Sequence, residues 1–148
     1  MWGGYNTSAV AVFARNTDGK LNFVEVLRDG LNGGVLTAVV VSSDGQHVYV
    51  GRDSNIVVFA RNPDNGKLTF IEMLKNGEED SGGNIVDGLG RNNYLAVSPD
   101  NQHVYVAGYE DSTVAVFARA TDGKLTFVEV LKDGGKDSAG NTVDGLHT

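Results

Sequence analysis

The chain repeats itself. "SSDGQHVYVGR" runs from Ser42 to Arg52, and "SPDNQHVYVAG" from Ser98 to Gly108. A second phrase, "VAVFARNTDGKLNFVEVLRDG" (Val10 to Gly30), returns as "IVVFARNPDNGKLTFIEMLKNG" (Ile56 to Gly77) and as "VAVFARATDGKLTFVEVLKDG" (Val114 to Gly134). Phe13, Phe59 and Phe117 mark equivalent positions. A unit recurring every ~50 residues constrains the fold strongly. Each copy is one supersecondary unit that buries its apolar surface against its neighbours.

Each unit reads as four strands. "LTAVVVSS" and "YLAVSPD" are short apolar first strands, "QHVYV" is the second, "VAVFAR" the third and "KLTFVEVLK" the fourth. Apolar residues alternate with a period close to two. In the third strand Val114 and Val116 share one face, and Ala115 and Phe117 the other. Asp44-Gly45 and Asp100-Asn101 join first to second strand; Asp18-Gly19, Asp64-Asn65-Gly66 and Asp122-Gly123 join third to fourth. Such pairs tolerate the positive φ of tight hairpins. The extra residue of the middle copy calls for a longer turn or a bulge. The 20 glycines and 2 prolines suit many tight turns.

These units predict an all-β fold: a β-propeller fragment of four-stranded antiparallel blades, completed by homo-oligomerisation. Residues 1–30 form a partial blade (end of the second strand, then the third and fourth). Residues 31–77 form a full blade, residues 78–133 a connector and a second full blade, and residues 134–148 a trailing connector. Blade faces left open invite association. A homodimer of roughly five to six blades is the first expectation and a trimer the second.

"AVSPDNQHVYVAGYEDSTVAVFARATDGKLTFVEV" resembles the lactonase-like and YVTN-type bacterial propeller repeats. Those carry Ser-Pro-Asp-Gly before a Val-Tyr-Val strand and a later Thr-Gly-Lys-Leu. The resemblance covers nearly the whole chain. It implies the blade fold and places sugar-lactone hydrolases and muconate cyclases among the relatives, beside surface or secreted proteins without a known reaction. No family catalytic residue maps onto a motif here.

Composition removes several functions. Net charge is −7 and the 12 basic residues are scattered, so neither nucleic acid nor anionic membrane is an expected partner. No apolar run approaches the ~18 residues of a spanning helix. There is no cysteine, hence no disulfide or thiolate metal site. The compartment stays open: export in a bacterium is compatible with the lack of cysteine, and the chain shows no signal peptide.

Residues that recur in every unit read as structural, so function is sought where the copies differ. His47 and His103 recur in "QHVYV"; Ser42 and Ser98 recur without a Gly-x-Ser-x-Gly elbow. Glu25, Glu72 and Glu129 recur on the fourth strand and read as solvated edge charges. Arg15, Arg61 and Arg119 recur at the end of the third and read as cover for apolar surface or partners of acids. The departures are Trp2, Arg52, Arg91, Asn93, Tyr94 and Tyr109, candidates for a small-molecule or glycan platform. In the connectors, Asp80, Asn84 and Asp87 match Asp137, Asn141 and Asp144. Oxygen ligands on Gly-rich loops suit Ca2+, and Asx turns explain the same letters without a metal; no other cofactor is implied.

No catalytic constellation emerges. The leading expectation is therefore a non-enzymatic propeller repeat, a self-assembling scaffold or ligand-binding module. A lactonase-like hydrolase and a lectin-like sugar binder are the alternatives.

Overall fold

A computed structural model describes residues 8–31, 33–91 and 93–146, with Asn93 described by its backbone alone. Ten strands and no helix are found there. They are β1 (Val10–Arg15), β2 (Leu21–Leu27), β3 (Leu36–Val41), β4 (His47–Arg52), β5 (Asn55–Arg61), β6 (Leu68–Lys75), β7 (Asn93–Val97), β8 (His103–Gly108), β9 (Thr113–Arg119) and β10 (Leu125–Lys132). They form a two-stranded sheet β1-β2 and two four-stranded sheets, β3-β4-β5-β6 and β7-β8-β9-β10. Every pairing is antiparallel between sequence neighbours. This is the predicted fold class: one partial blade and two whole ones.

The hairpins close by the chemistry read from their letters. Gly45 and Asn101 occupy the same turn position with φ of 71° and 60°. Asn replaces Gly there because its short polar side chain tolerates the left-handed region. In the same turns Asp44 and Asp100 accept the backbone N–H of Gln46 and Gln102. A register shift interrupts all three pairings of third with fourth strand, at Val12/Phe13, Val58/Phe59 and Phe127/Glu129. The bulge is thus common to every blade. The extra residue of the middle copy sits in the turn, where Gly66 N–H reaches back to Asn62 O, whereas Gly19 and Gly123 reach only to Asn16 and Ala120.

The period of two sorts each strand between two cores. On the middle sheet Val48, Val50, Val57 and Phe59 face the partial blade and pack with Val10, Leu31 and Leu68. Tyr49, Ile56 and Val58 point the opposite way, onto Val104, Val106, Ala115 and Phe117 of the last sheet. A sheet apolar on both faces is stable only between neighbours. Phe117 is fully buried and meets Phe127 edge-to-face at 5.7 Å, an arrangement repeated by Phe59 with Phe70 and by Phe13 with Phe23. Burying one such side chain contributes ~1.5–3 kcal/mol. The connector seals the seam between the whole blades: Val86 and Leu89 join their shared core.

Candidate functional site

Two clusters bridge the whole blades. The first is built on Arg119, at the end of β9. Its Nε donates to Tyr49 Oη at 2.8 Å and its Nη1 to Asn101 O at 3.0 Å. Its Nη2 donates to Asp44 Oδ2 at 2.9 Å and to His47 Nδ1 at 2.7 Å. Tyr49 Oη in turn donates to Gly123 O at 3.0 Å. Burial and the Arg119 cation push the His47 pKa down, against the smaller pull of Asp44 and Asp122. Because a guanidinium can only donate, Nδ1 of His47 is the acceptor of the Arg119 contact and the ring proton sits on the other nitrogen. Burial works to raise the Asp44 pKa, but hydrogen bonds from Ser42, the Gln46 N–H and Arg119 outweigh it and hold the carboxyl at about 2.

Serine, histidine and aspartate thus lie together, yet no nucleophile is assembled. Ser42 Oγ donates to Asp44 Oδ1 at 2.5 Å and accepts the backbone N–H of His47, not its ring. A Ser-His-Asp triad needs the ring to accept from the hydroxyl. Ser98, Asp100 and His103 repeat the same contacts. This cluster is an inter-blade lock.

Two of the three recurrent glutamates, Glu25 and Glu72, depart from the expectation of solvated edge charges, whereas Glu129 is exposed. Glu25 accepts the backbone N–H of Leu68, and Glu72 that of Leu125, both at 2.8 Å. Each reaches from one blade onto the first residue of the next blade's fourth strand, where the outermost edge would otherwise leave that donor unpaired. Burial pushes the Glu72 pKa up, and the Leu125 N–H and Lys124 only partly restore it.

The connector residues divide. Asp80 Oδ1 accepts the N–H groups of Gly82 and Asn84, and Oδ2 accepts Phe127 N–H at 2.7 Å. The Asn84 amide also donates to Asp80. Asp87 lies apart, paired with Lys132 at 3.3 Å and accepting Gly88 N–H. Asp137 and Asn141 repeat the closed turn in the trailing connector, and Asp144 is not among Asp137's hydrogen-bond partners there. A cation on these oxygens would have to displace N–H donors. Among the described residues no group of three or more His, Asp or Glu side chains converges as metal ligands do.

The second cluster is polar and open. At the end of the sheets where β4 turns into β5 and β8 into β9, a cleft of about 530 Å3 is lined by Val35, Asp53, Ser54, Asn55, Arg91 and Glu110. It lies across the blade boundary, with Asp53 to Asn55 from the β4–β5 turn and Glu110 from the β8–β9 loop. Asp53 is held there by a left-handed φ of 45° and accepts Val35 N–H at 3.2 Å. Arg91 enters from the connector that feeds β7. The cleft therefore brings one guanidinium and two carboxylates to one opening, the kind of polar set that orients a small polar ligand.

Of the sequence candidates whose side chains are described, only Arg91 lines this cleft. Arg52 donates to Gly30 O at 3.3 Å, in the loop between β2 and β3, and is not among the residues that line the cleft. Tyr94 pairs with Ala107 and so shares the face of β7 and β8 that carries Tyr105, not the cleft. Tyr109 is exposed beside Glu110 but is not a wall of the cleft. Nothing is described of the Asn93 side chain, and Trp2 lies outside the described residues. Asp53, Asn55 and Glu110 were missed. Glu110 carried a legible signal: the β8–β9 loop is longer than its β4–β5 counterpart, so Glu110 belongs to a departure from the repeat.

No family model matches the chain. In sequence it is similar to the 6-phosphogluconolactonase of Klebsiella pneumoniae (strain 342), 24% identical over 166 residues, covering 88% of this chain and 49% of that protein. The chain thus spans about half the length of the curated relative it matches. In fold it is similar to the periplasmic gluconolactonase of Pseudomonas aeruginosa, with TM-score 0.63 and 24% identity over 86% of this chain and 35% of that one. It is also similar to the β-propeller domain of Cps50 (Swd1) from Myceliophteria thermophila, with TM-score 0.53 and 18% identity over 86% of this chain and 41% of that one. These likenesses place the sheets among propeller blades. The sequence relative also corrects the leading expectation of a non-enzymatic scaffold: it is a 6-phosphogluconolactonase, which favours the hydrolase alternative.

Proposed function

We propose that the chain supplies blades and a substrate cleft to a sugar-lactone hydrolase. The observation that carries the reading is the inter-blade cleft with Arg91, Asp53 and Glu110, in a chain whose sequence relative is a 6-phosphogluconolactonase. Opening a lactone ring requires water to attack the carbonyl carbon. The carbonyl oxygen becomes negative, and the ring oxygen leaves with a proton. Arg91 is suited to the developing oxyanion, because a guanidinium stabilises that charge without giving up a proton. Glu110 is suited to take the proton from the attacking water and return it to the ring oxygen. Asp53, fixed by the Val35 N–H, orients the polyol hydroxyls. The lectin alternative needs aromatic faces in the pocket, and none of the described residues that line this cleft is aromatic.

The test is acid release in a pH-stat with glucono-1,5-lactone and with its 6-phosphate. The reading expects hydrolysis above the spontaneous rate for at least one of them. A rate equal to buffer alone for both removes it.

A further inference from the structure

The two internal blade boundaries show what each blade face asks of its neighbour, and the molecule's two outer faces are cut to the same pattern. On the last sheet, Tyr105 stands where Tyr49 does, yet it is 40% exposed while Tyr49 is 0%. Asp100 and His103 stand where Asp44 and His47 do, without the arginine that those two receive. On the partial blade, Arg15 occupies the place of Arg119 and is exposed. Phe13, the equivalent of the fully buried Phe117, is 49% exposed. One outer face holds the acceptors of the lock, and the opposite outer face holds its donor.

The correspondence extends beyond the lock. Glu72 accepts Leu125 N–H at 2.8 Å and Asp80 accepts Phe127 N–H at 2.7 Å. Their equivalents are the exposed Glu129 and the half-buried Asp137 at one face, and the backbones of Leu21 and Phe23 at the other. Lys132 pairs with Asp87 at 3.3 Å, and the equivalent charges are Arg28 and Asp144, again on opposite faces. Every one of these pairs has the charge or hydrogen-bonding sense that the internal boundary uses.

We infer that the face of β7–β10 docks head-to-tail on the face of β1–β2 of a second copy of this chain. Arg15 of that copy then meets Tyr105, Asp100 and His103, and its Leu21 and Phe23 N–H groups meet Glu129 and Asp137. Such an interface is heterologous: each copy offers one unlike face to each neighbour, so a ring or a filament results, according to the rotation. The contributions that Val104 and Val106 make to the internal core have no counterpart among the described residues of β1–β2. The intermolecular boundary is accordingly smaller than the internal one, and association depends on concentration. The chain spans about half of its lactonase relative, so a second copy adds blades of the kind a larger ring needs. The inference stands independently of lactone hydrolysis.

The test is light scattering behind size exclusion across a hundredfold range of concentration. The wild type is expected to reach at least twice 15.7 kDa. Arg15→Glu spoils one face and Tyr105→Asp the other, and each alone is expected to run as a monomer. Because the faces are unlike, an equimolar mixture of the two variants retains one intact pairing and is expected to give a species of two chains. A cooperative unfolding transition shows that each variant folds; Glu129→Lys replaces Tyr105→Asp if that one does not. A wild type that stays monomeric throughout overturns the inference, which includes the case in which these faces serve only other blades of a longer chain. Variants that keep the wild-type mass, or a mixture that stays monomeric, overturn it as well.

Discussion

Arg119 and His47 meet across the boundary between the two whole blades, with 2.7 Å between Nη2 and Nδ1. The contact fixes which ring nitrogen of His47 carries the proton. It also ties the end of β9 to the start of β4, far apart in sequence. Much of the molecule's behaviour under mutation and pH follows from that joint.

Replacing Arg119 by lysine removes the fork that serves Tyr49, Asn101, Asp44 and His47 together. A lysine ammonium cannot span those four acceptors. The expected loss is about 1–3 kcal/mol in urea unfolding. Arg61 donates only to Gly45 O among the contacts matching this lock, so Arg61→Lys is expected to cost less than half as much. Equal costs would contradict the assignment of the lock to the boundary between the whole blades.

The neutral state of His47 makes stability depend on pH. Its folded pKa lies below the ordinary 6.5 because of burial and Arg119, so the unfolded chain binds the proton more readily. Stability is then fully present above about pH 6.5 and is lost as pH falls from there through the folded pKa. Asp44 adds a second loss at lower pH, between the ordinary aspartate value of 3.8 and about 2. Unfolding free energies at pH 7.5 and 5.5 check the first window. The wild type is expected to weaken on acidification, and His47→Gln to show a smaller change. An identical pH slope in the two proteins counts against the neutral imidazole.

Phe117 and Phe13 are the same letter of the repeat in opposite circumstances. Phe117→Ala empties a packed position and is expected to cost about 3–5 kcal/mol. Phe13→Ala, measured at concentrations where the chain is monomeric, is expected to cost under about 1 kcal/mol. Denaturant midpoints of the two variants make the comparison. Similar losses would mean that the outer face is already covered.

Gly123 is required twice over. Its φ is +88°, and an added Cβ would stand 2.1 Å from His47 Cδ2. Gly123→Ala is therefore expected to destabilise by more than about 1 kcal/mol. Gly19 has nearly the same φ, 84°, and open space around it, so Gly19→Ala should show the backbone strain alone. The difference between the two thermal midpoints isolates the contact with His47. No difference would argue that the ring is not where Gly123 meets it.

The fold was legible because each blade is specified locally. Alternating Val and Phe set the faces, and Asp-Gly and Asp-Asn set the turns, so strand type, order and pairing could be read without knowing any contact between blades. What the repeat concealed is what lies between blades. Glu72 looked like a solvated edge charge because its acceptor role depends on Leu125 N–H, a neighbour supplied by the next repeat. Asp80 looked like an open oxygen ligand because its bonds to Asn84 and Phe127 are invisible in spacing alone. The cleft was half legible. Arg91 stood out as a departure from the repeat, whereas Asp53 and Glu110 meet only because two blades converge at one end.

The lactonase reading rests on Glu110 taking a proton from water and Arg91 holding the oxyanion. Initial rates of acid release from the hydrolysed lactone, compared for wild type, Glu110→Gln and Arg91→Ala, test it most directly. The account predicts a fall of about 10²-fold or more in kcat for each variant, with the unfolding midpoint unchanged. Wild-type rates in both variants would contradict it.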